Sequence, residues 1–118
     1  MNLKFYKMRE GAKLPDRAHE TDAGMDVFYC PKNGESVFSI PVGSSRVLPT
    51  GIKVEVPRGY MLEVKNKSGI ASKRQLLVGA CVIDPGYDGE IFVNLHNVGF
   101  KAQFIEPGEK IAQAVLVP

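Results

Sequence analysis

The 118-residue chain carries fifteen Lys and Arg against thirteen Asp and Glu, a formal charge of +2. The basic residues are scattered and largely balanced, so there is no case for a nucleic-acid-binding protein. A chain of this length forms one domain, residues 1–118, burying roughly two-thirds of its unfolded surface around a single core. Cys30 and Cys81 have no CxxC spacing and are too few for a disulfide framework, which favours a reducing compartment. Charges break every apolar run of the first ten residues, so no signal peptide is expected there, and no window approaches a membrane span.

In chain order the sequence reads as short strands punctuated by turns. Residues 3–7 form a first strand, 13–21 a polar loop containing Pro15, and 24–29 a second strand. Cys30-Pro31-Lys32-Asn33-Gly34 is a turn, followed by strands over 36–40 and 45–48. Pro49-Thr50-Gly51 leads into Ile52-Lys53-Val54-Glu55-Val56, a period-two alternation, and Pro57-Arg58-Gly59 turns the chain again. Residues 60–65 are a strand and 67–74 a loop or a single helical turn. A hairpin over 77–97, a turn at 98–101, a strand over 102–105, the turn Pro107-Gly108 and a strand over 110–117 complete the chain. No stretch keeps helical periodicity over a dozen residues, and strands this short with turns this frequent indicate an all-β sandwich, jelly roll or barrel.

The hairpin is the most informative stretch. Its two β-branched, apolar runs flank Asp84-Pro85-Gly86-Tyr87-Asp88-Gly89, where Gly can take positive φ and Pro fixes φ, so the local chemistry favours a reversal. It also carries a carboxylate at the end of the first run and a phenol three residues later, placed so that both can face one pocket. The plainer reading is an Asx-type turn at Asp84 and a surface aromatic at Tyr87.

Three further stretches put polar groups where strand packing does not ask for them. Asp22-Ala23-Gly24-Met25-Asp26-Val27 places small residues and an acid at a strand entry. Asn66-Lys67-Ser68-Gly69-Ile70-Ala71 offers a cation, a hydroxyl and backbone N–H groups to an anion, although Ser68 alone reads equally as an N-cap. Gln113 interrupts Ile111-Ala112-Gln113-Ala114-Val115, where it is either functional or simply on the outward face of an alternating strand.

Taken together, Asp22-Ala23-Gly24-Met25-Asp26, Lys67-Ser68-Gly69, Val82-Ile83-Asp84-Pro85-Gly86-Tyr87-Asp88-Gly89 and Gly108-Glu109-Lys110-Ile111-Ala112-Gln113 resemble the first four of the five ordered motifs of the trimeric dUTPase family. The resemblance implies a jelly-roll subunit in a homotrimer with active sites at the subunit boundaries. It further implies cleavage of dUTP to dUMP and pyrophosphate with Mg²⁺, in the cytoplasm or, for a viral protein, in the host cytoplasm. By the same resemblance Asp84 positions and deprotonates the attacking water, and Tyr87 packs under the deoxyribose and excludes a 2′-hydroxyl. Cys81, Val82 and Ile83, with Phe92, line the uracil slot. Lys67, Ser68 and Gly69 hold phosphate oxygens. Asp26 and Gln113 reach the Mg²⁺ through water only.

The sequence also departs from the family pattern. Lys67 and Lys110 stand where Arg is usual, which keeps the charge and loses the planar fork, and Cys81 stands where many members have Gly. Up to Pro118 there is no Arg-Gly-x-x-Gly-Phe-Gly-Ser stretch, the fifth motif that closes over the triphosphate. Two classes of function therefore stay open: a dUTP diphosphatase, and a non-catalytic nucleotide-binding or regulatory module that keeps the pocket. The related dCTP deaminases are disfavoured by the absence of their Ser-Ser-x-Ala-Arg motif.

Overall fold

The computed structural model describes residues 3–17, 19–32 and 36–118. Within them run β1 (Lys4–Lys7), β2 (Met25–Phe28), β3 (Phe38–Ile40), β4 (Ser45–Pro49), β5 (Ile52–Glu55) and β6 (Met61–Lys65). They are followed by α1 (Ser68–Lys73), β7 (Leu76–Val78), β8 (Val82–Ile83), β9 (Phe92–Asn97), β10 (Gln103–Ile105) and β11 (Lys110–Val117). The described residues are all-β with one short helix, as the strand lengths and turn frequency predict. Among the described residues no helix is long and apolar enough to cross a membrane.

Every strand pairing is antiparallel. One sheet has the order β2-β11-β6-β8, a second β4-β9-β7, and the pairs β1-β5 and β10-β3 complete the set. The core follows from alternation along these strands. Ile52 and Val54 of β5 turn inward, as do Leu62 and Val64 of β6 and Val93 and Leu95 of β9, and all six are buried. Each such aliphatic side chain contributes about 1.5–3 kcal/mol on leaving water, so the inner faces of the sheets hold the fold and the outer faces are left for chemistry. A register shift between Lys110 and Ala112 lets two successive residues, Ile111 and Ala112, both face the core.

The hairpin expected over 77–97 forms only in its outer half. Leu77 pairs with His96 and Val78 with Leu95, but Val82–Ile83 leaves β9 and pairs with Leu62 and Glu63 of β6. Gly79 marks the departure. Its N–H donates to the Asn94 carbonyl at 2.9 Å and the next N–H, of Ala80, to Asn94 Oδ1 at 3.1 Å. A Cβ on Gly79 would stand 2.3 Å from that same oxygen, so a larger residue would force the Asn94 side chain out of this place before the chain crosses to the other sheet.

Residues 67–74 form more than a single turn. Ser68–Lys73 is a six-residue helix with Lys67 as N-cap, so Ser68 is the first helical residue and not the cap. Of the turn at 30–34, Asn33 and Gly34 lie outside the described residues. The turn at 98–101 is organised by Asn97, which is buried and donates through Nδ2 to the carbonyls of Ile40 and Lys101, both at 2.9 Å, while Oδ1 accepts from Gly99 N–H at 3.0 Å. Asn97→Ala leaves these main-chain groups without partners and is expected to destabilise the fold by about 2–3 kcal/mol. A shift of the urea midpoint at unchanged slope checks this.

Candidate active site

The parting of β8 from β9 opens a slot of about 230 Å³ between them. Ala80, Cys81, Val82, Ile83, Asp84 and Tyr87 line one side and Glu90, Ile91 and Phe92 the other, with Val64 between. The volume lies below the range of sites that enclose a whole drug-sized ligand, so the slot suits a single ring and not a complete nucleotide. β8 is the last strand of its sheet, which leaves one row of its main-chain donors and acceptors unpaired by β6. On the inner side Cys81 is fixed by accepting a hydrogen bond from Val64 N–H at 2.7 Å.

Asp84 and Tyr87 stand at the mouth. Both are exposed, and the turn between them is closed by the main chain, Tyr87 N–H to the Asp84 carbonyl at 3.1 Å. The Asx-type turn is therefore not formed. Among the described residues the Asp84 carboxylate has no hydrogen-bond or ion-pair partner and is available to a ligand or water. Tyr87 is anchored at its far end, where the hydroxyl donates to the Glu90 carbonyl at 2.5 Å.

Glu90 is a site residue that sequence reasoning missed. Its carboxylate meets the Arg9 guanidinium in a two-pronged pair at 2.8 and 2.9 Å and also accepts Gly51 N–H at 2.9 Å. Burial works against charging this carboxyl, but Arg9 and the Gly51 N–H outweigh it and hold its pKa below the usual glutamate range. Partners 81 residues apart leave no local pattern by which a sequence could announce them. At the edge of the slot Lys32 Nζ lies 5.1 Å from the centre of the Phe92 ring, a cation–π contact.

The other predicted residues gather elsewhere. Asp26 of β2 is paired in register with Gln113 of β11, and Gln113 in turn with Lys65 of β6. The Asp26 carboxylate is buried and takes hydrogen-bonded ion pairs from Lys67 and, at 3.2 Å, from Lys110. Burial raises the cost of its charge, yet the two ammonium groups more than offset this and keep its pKa below the ordinary aspartate range. Gln113 Nε2 donates to the Asn66 carbonyl at 2.8 Å, and a Cβ on Gly24 would meet Gln113 Oε1 at 2.0 Å. Gly24 thus makes room for the glutamine. Gln113 is not merely on an outward face.

These residues line no part of the slot. Three strand spacings separate β2 from β8, a gap of roughly 14 Å within one chain. Ser68 and Gly69 begin α1, beside Lys67, and belong with the polar group. No group of three or more His, Cys, Asp or Glu among the described residues gathers to hold a metal. A single-ring slot at one sheet edge with a lysine-bearing cluster near the other is an arrangement suited to handling a nucleotide.

Comparison with known proteins defines which nucleotide-handling family this is. A family model described as dUTPase matches residues 10–118. The chain is 38% identical over 117 residues to the deoxyuridine 5'-triphosphate nucleotidohydrolase of Chlamydia trachomatis serovar L2, covering 97% of this chain and 79% of that protein. It is 37% identical over 120 residues to that of Crocosphaera subtropica, covering 100% and 81%. Among solved structures, the dUTPase from phage phi11 of S. aureus superposes with a TM-score of 0.90 at 27% identity, covering 100% of this chain and 90% of that one. The Staphylococcus bacteriophage 80alpha dUTPase with dUPNHPP gives 0.89 at 28%, covering 99% and 82%. The chain belongs to the dUTPase family, enzymes of nucleotide metabolism, and shares its jelly-roll-like β fold.

Asp26→Asn tests the polar cluster. Removing the carboxylate leaves Lys67 and Lys110 facing each other, with an expected cost of about 1–3 kcal/mol, below that of a fully buried pair because both ammonium groups keep water. A carboxyl whose pKa is depressed by folding contributes fully above its unfolded value, near pH 4, and loses that contribution as pH falls through the folded value. Urea midpoints measured from pH 7 to pH 2 should fall less steeply in acid for Asp26→Asn than for the native chain.

Proposed function

We propose that the chain hydrolyses dUTP to dUMP and pyrophosphate. The observation that carries the reading is the Asp84 carboxylate, exposed and unpartnered at the mouth of a ring-sized slot walled by an unpaired strand edge. The family and the named activity of the relatives supply the substrate. The 80alpha dUTPase was solved with dUPNHPP, which supports a triphosphate ligand here.

Uracil enters the slot beside Cys81, Val82, Ile83 and Phe92, where main-chain donors and acceptors of the β8 edge imitate a base pair. The deoxyribose lies on Tyr87, whose ring leaves no room for a 2′-hydroxyl. Asp84 accepts a proton from a water molecule. The water oxygen bonds to the α-phosphorus, the bond from that phosphorus to the bridging oxygen breaks, and pyrophosphate leaves. A positioned base of this kind contributes about 10²–10⁴ in rate.

Lys67, Ser68 and Gly69 hold phosphate oxygens, Lys67 exchanging Asp26 for substrate. Mg²⁺, when bound, neutralises charge on the phosphates and keeps most of its water. The donors present fit an ion that arrives on the substrate: the Asp26 carboxylate already takes two lysines and has lone pairs left only for water, and Gln113 beside it is neutral. Asp26 and Gln113 would therefore hold the ion through its water. Because slot and polar cluster are separated within one chain, a second copy completes each site, in a homotrimer.

The test is incubation with dUTP and Mg²⁺, with pyrophosphate as readout and dCTP and UTP as controls. Asp84→Asn should lower kcat by about 10²–10⁴ while nucleotide affinity changes little, because the lost group acts on the water and not on the bound base. Equal turnover in the variant would remove Asp84 from the mechanism.

A further inference from the structure

Tyr87 is the residue that reads the sugar in the reading above, yet it sits on an exposed loop and is itself 44% exposed. Its position is set by one strong contact, the 2.5 Å hydrogen bond from its hydroxyl to the Glu90 carbonyl. Where Tyr87 stands therefore depends on where the Glu90 main chain stands.

Glu90 in turn is fixed by three hydrogen bonds from two segments distant in sequence. Arg9, just beyond β1, grips both carboxylate oxygens and also donates to the carbonyls of Cys30 at 2.7 Å and Pro31 at 3.2 Å. Gly51 N–H, in the turn between β4 and β5, supplies the third hold at 2.9 Å. The geometry is bidentate and well shielded, with the Glu90 side chain only 10% exposed, so the pair is stiff where an exposed ion pair would not be.

Gly89 lies between the two. A Cβ there would fall 2.7 Å from the Tyr87 hydroxyl and 2.9 Å from its ring carbon, so a side chain at this position would push the ring aside. The other tie on this loop, Lys53 to Asp88 at 2.5 Å, is on an 84% exposed carboxylate and holds weakly.

We infer that Arg9 and Glu90 are positioning residues for sugar discrimination, fixing through the Glu90 carbonyl the place of the Tyr87 ring against the deoxyribose. The inference rests on the proposed dUTP hydrolysis and deepens it. Arg9 lines no part of the slot, and Glu90, which does line it, acts on the sugar through its carbonyl's hold on Tyr87. Both act through Tyr87, so their loss moves the ring without removing it.

The test compares kcat/KM for dUTP and for UTP on the same protein preparation, with Mg²⁺, in the native chain, Arg9→Met, Arg9→Lys, Gly89→Ala and Tyr87→Ala. The ratio of the two values is independent of the fraction of protein that is folded, so a merely destabilising change leaves it unmoved. Arg9→Met should lower the dUTP:UTP ratio roughly tenfold, with Arg9→Lys intermediate because the charge returns without the fork. Gly89→Ala displaces the ring directly, leaves the Arg9–Glu90 pair intact and should lower the ratio as well, and Arg9→Lys keeps the inference testable if Arg9→Met does not fold. Tyr87→Ala marks the ratio of a site with no ring. A native ratio retained in the Arg9 variants, while Tyr87→Ala loses it, overturns the positioning role whatever Gly89→Ala does, and leaves the proposed activity standing. A native chain that does not cleave dUTP overturns both.

Discussion

Between Val78 and Val82 the chain leaves one sheet and joins another, and the site depends on that crossing. The Asn94 carbonyl and side-chain oxygen take the N–H groups of Gly79 and Ala80, which stops pairing with β9 at a fixed residue. Ile83 is then drawn into the core and Val82 left exposed, a strand alternation of only two residues. Had pairing continued, β8 and β9 would have closed on each other. Parted, they frame a slot with an open strand edge on one wall and Phe92 on the other.

The far edge of the same sheet is governed by charge. Asp26 is buried with two partly exposed lysines on it, whose charges offset the cost of burying the carboxylate. The register shift in β11 re-aims Lys110 toward that carboxylate. Gly24 and Gln113 interlock next to it. Lysines in these places carry charge without the planar fork of arginine, so each is held by a single ammonium contact and not by a two-pronged pair.

Much of this was legible in the sequence because it is local. Period-two burial in β5, β6 and β9, and the turn formers between them, placed the strands to within a residue or two. The motifs singled out as polar exceptions fall in the slot or in the cluster around Asp26. What could not be read was the choice of partner. Nothing in an apolar run states which sheet it will join, although Gly79 in the middle of 76–83 was a usable sign of close backbone approach. Arg9 and Glu90 gave no sign at all, since their pairing is made by the folded chain across 81 residues.

The central claim is that slot and polar cluster on one chain belong to different active sites, each completed by another copy. Subunit mixing tests it most directly. Asp84→Asn and a Lys67→Ala, Ser68→Ala double variant are each expected to be inactive alone. Unfolded together and refolded at equal amounts, they should recover about a quarter of the native specific activity, since one site in four joins an intact slot to an intact cluster from a neighbour. A mixture as inactive as its two components, from assemblies shown by mass to contain both chains, would place slot and cluster of one site on the same chain and contradict the account.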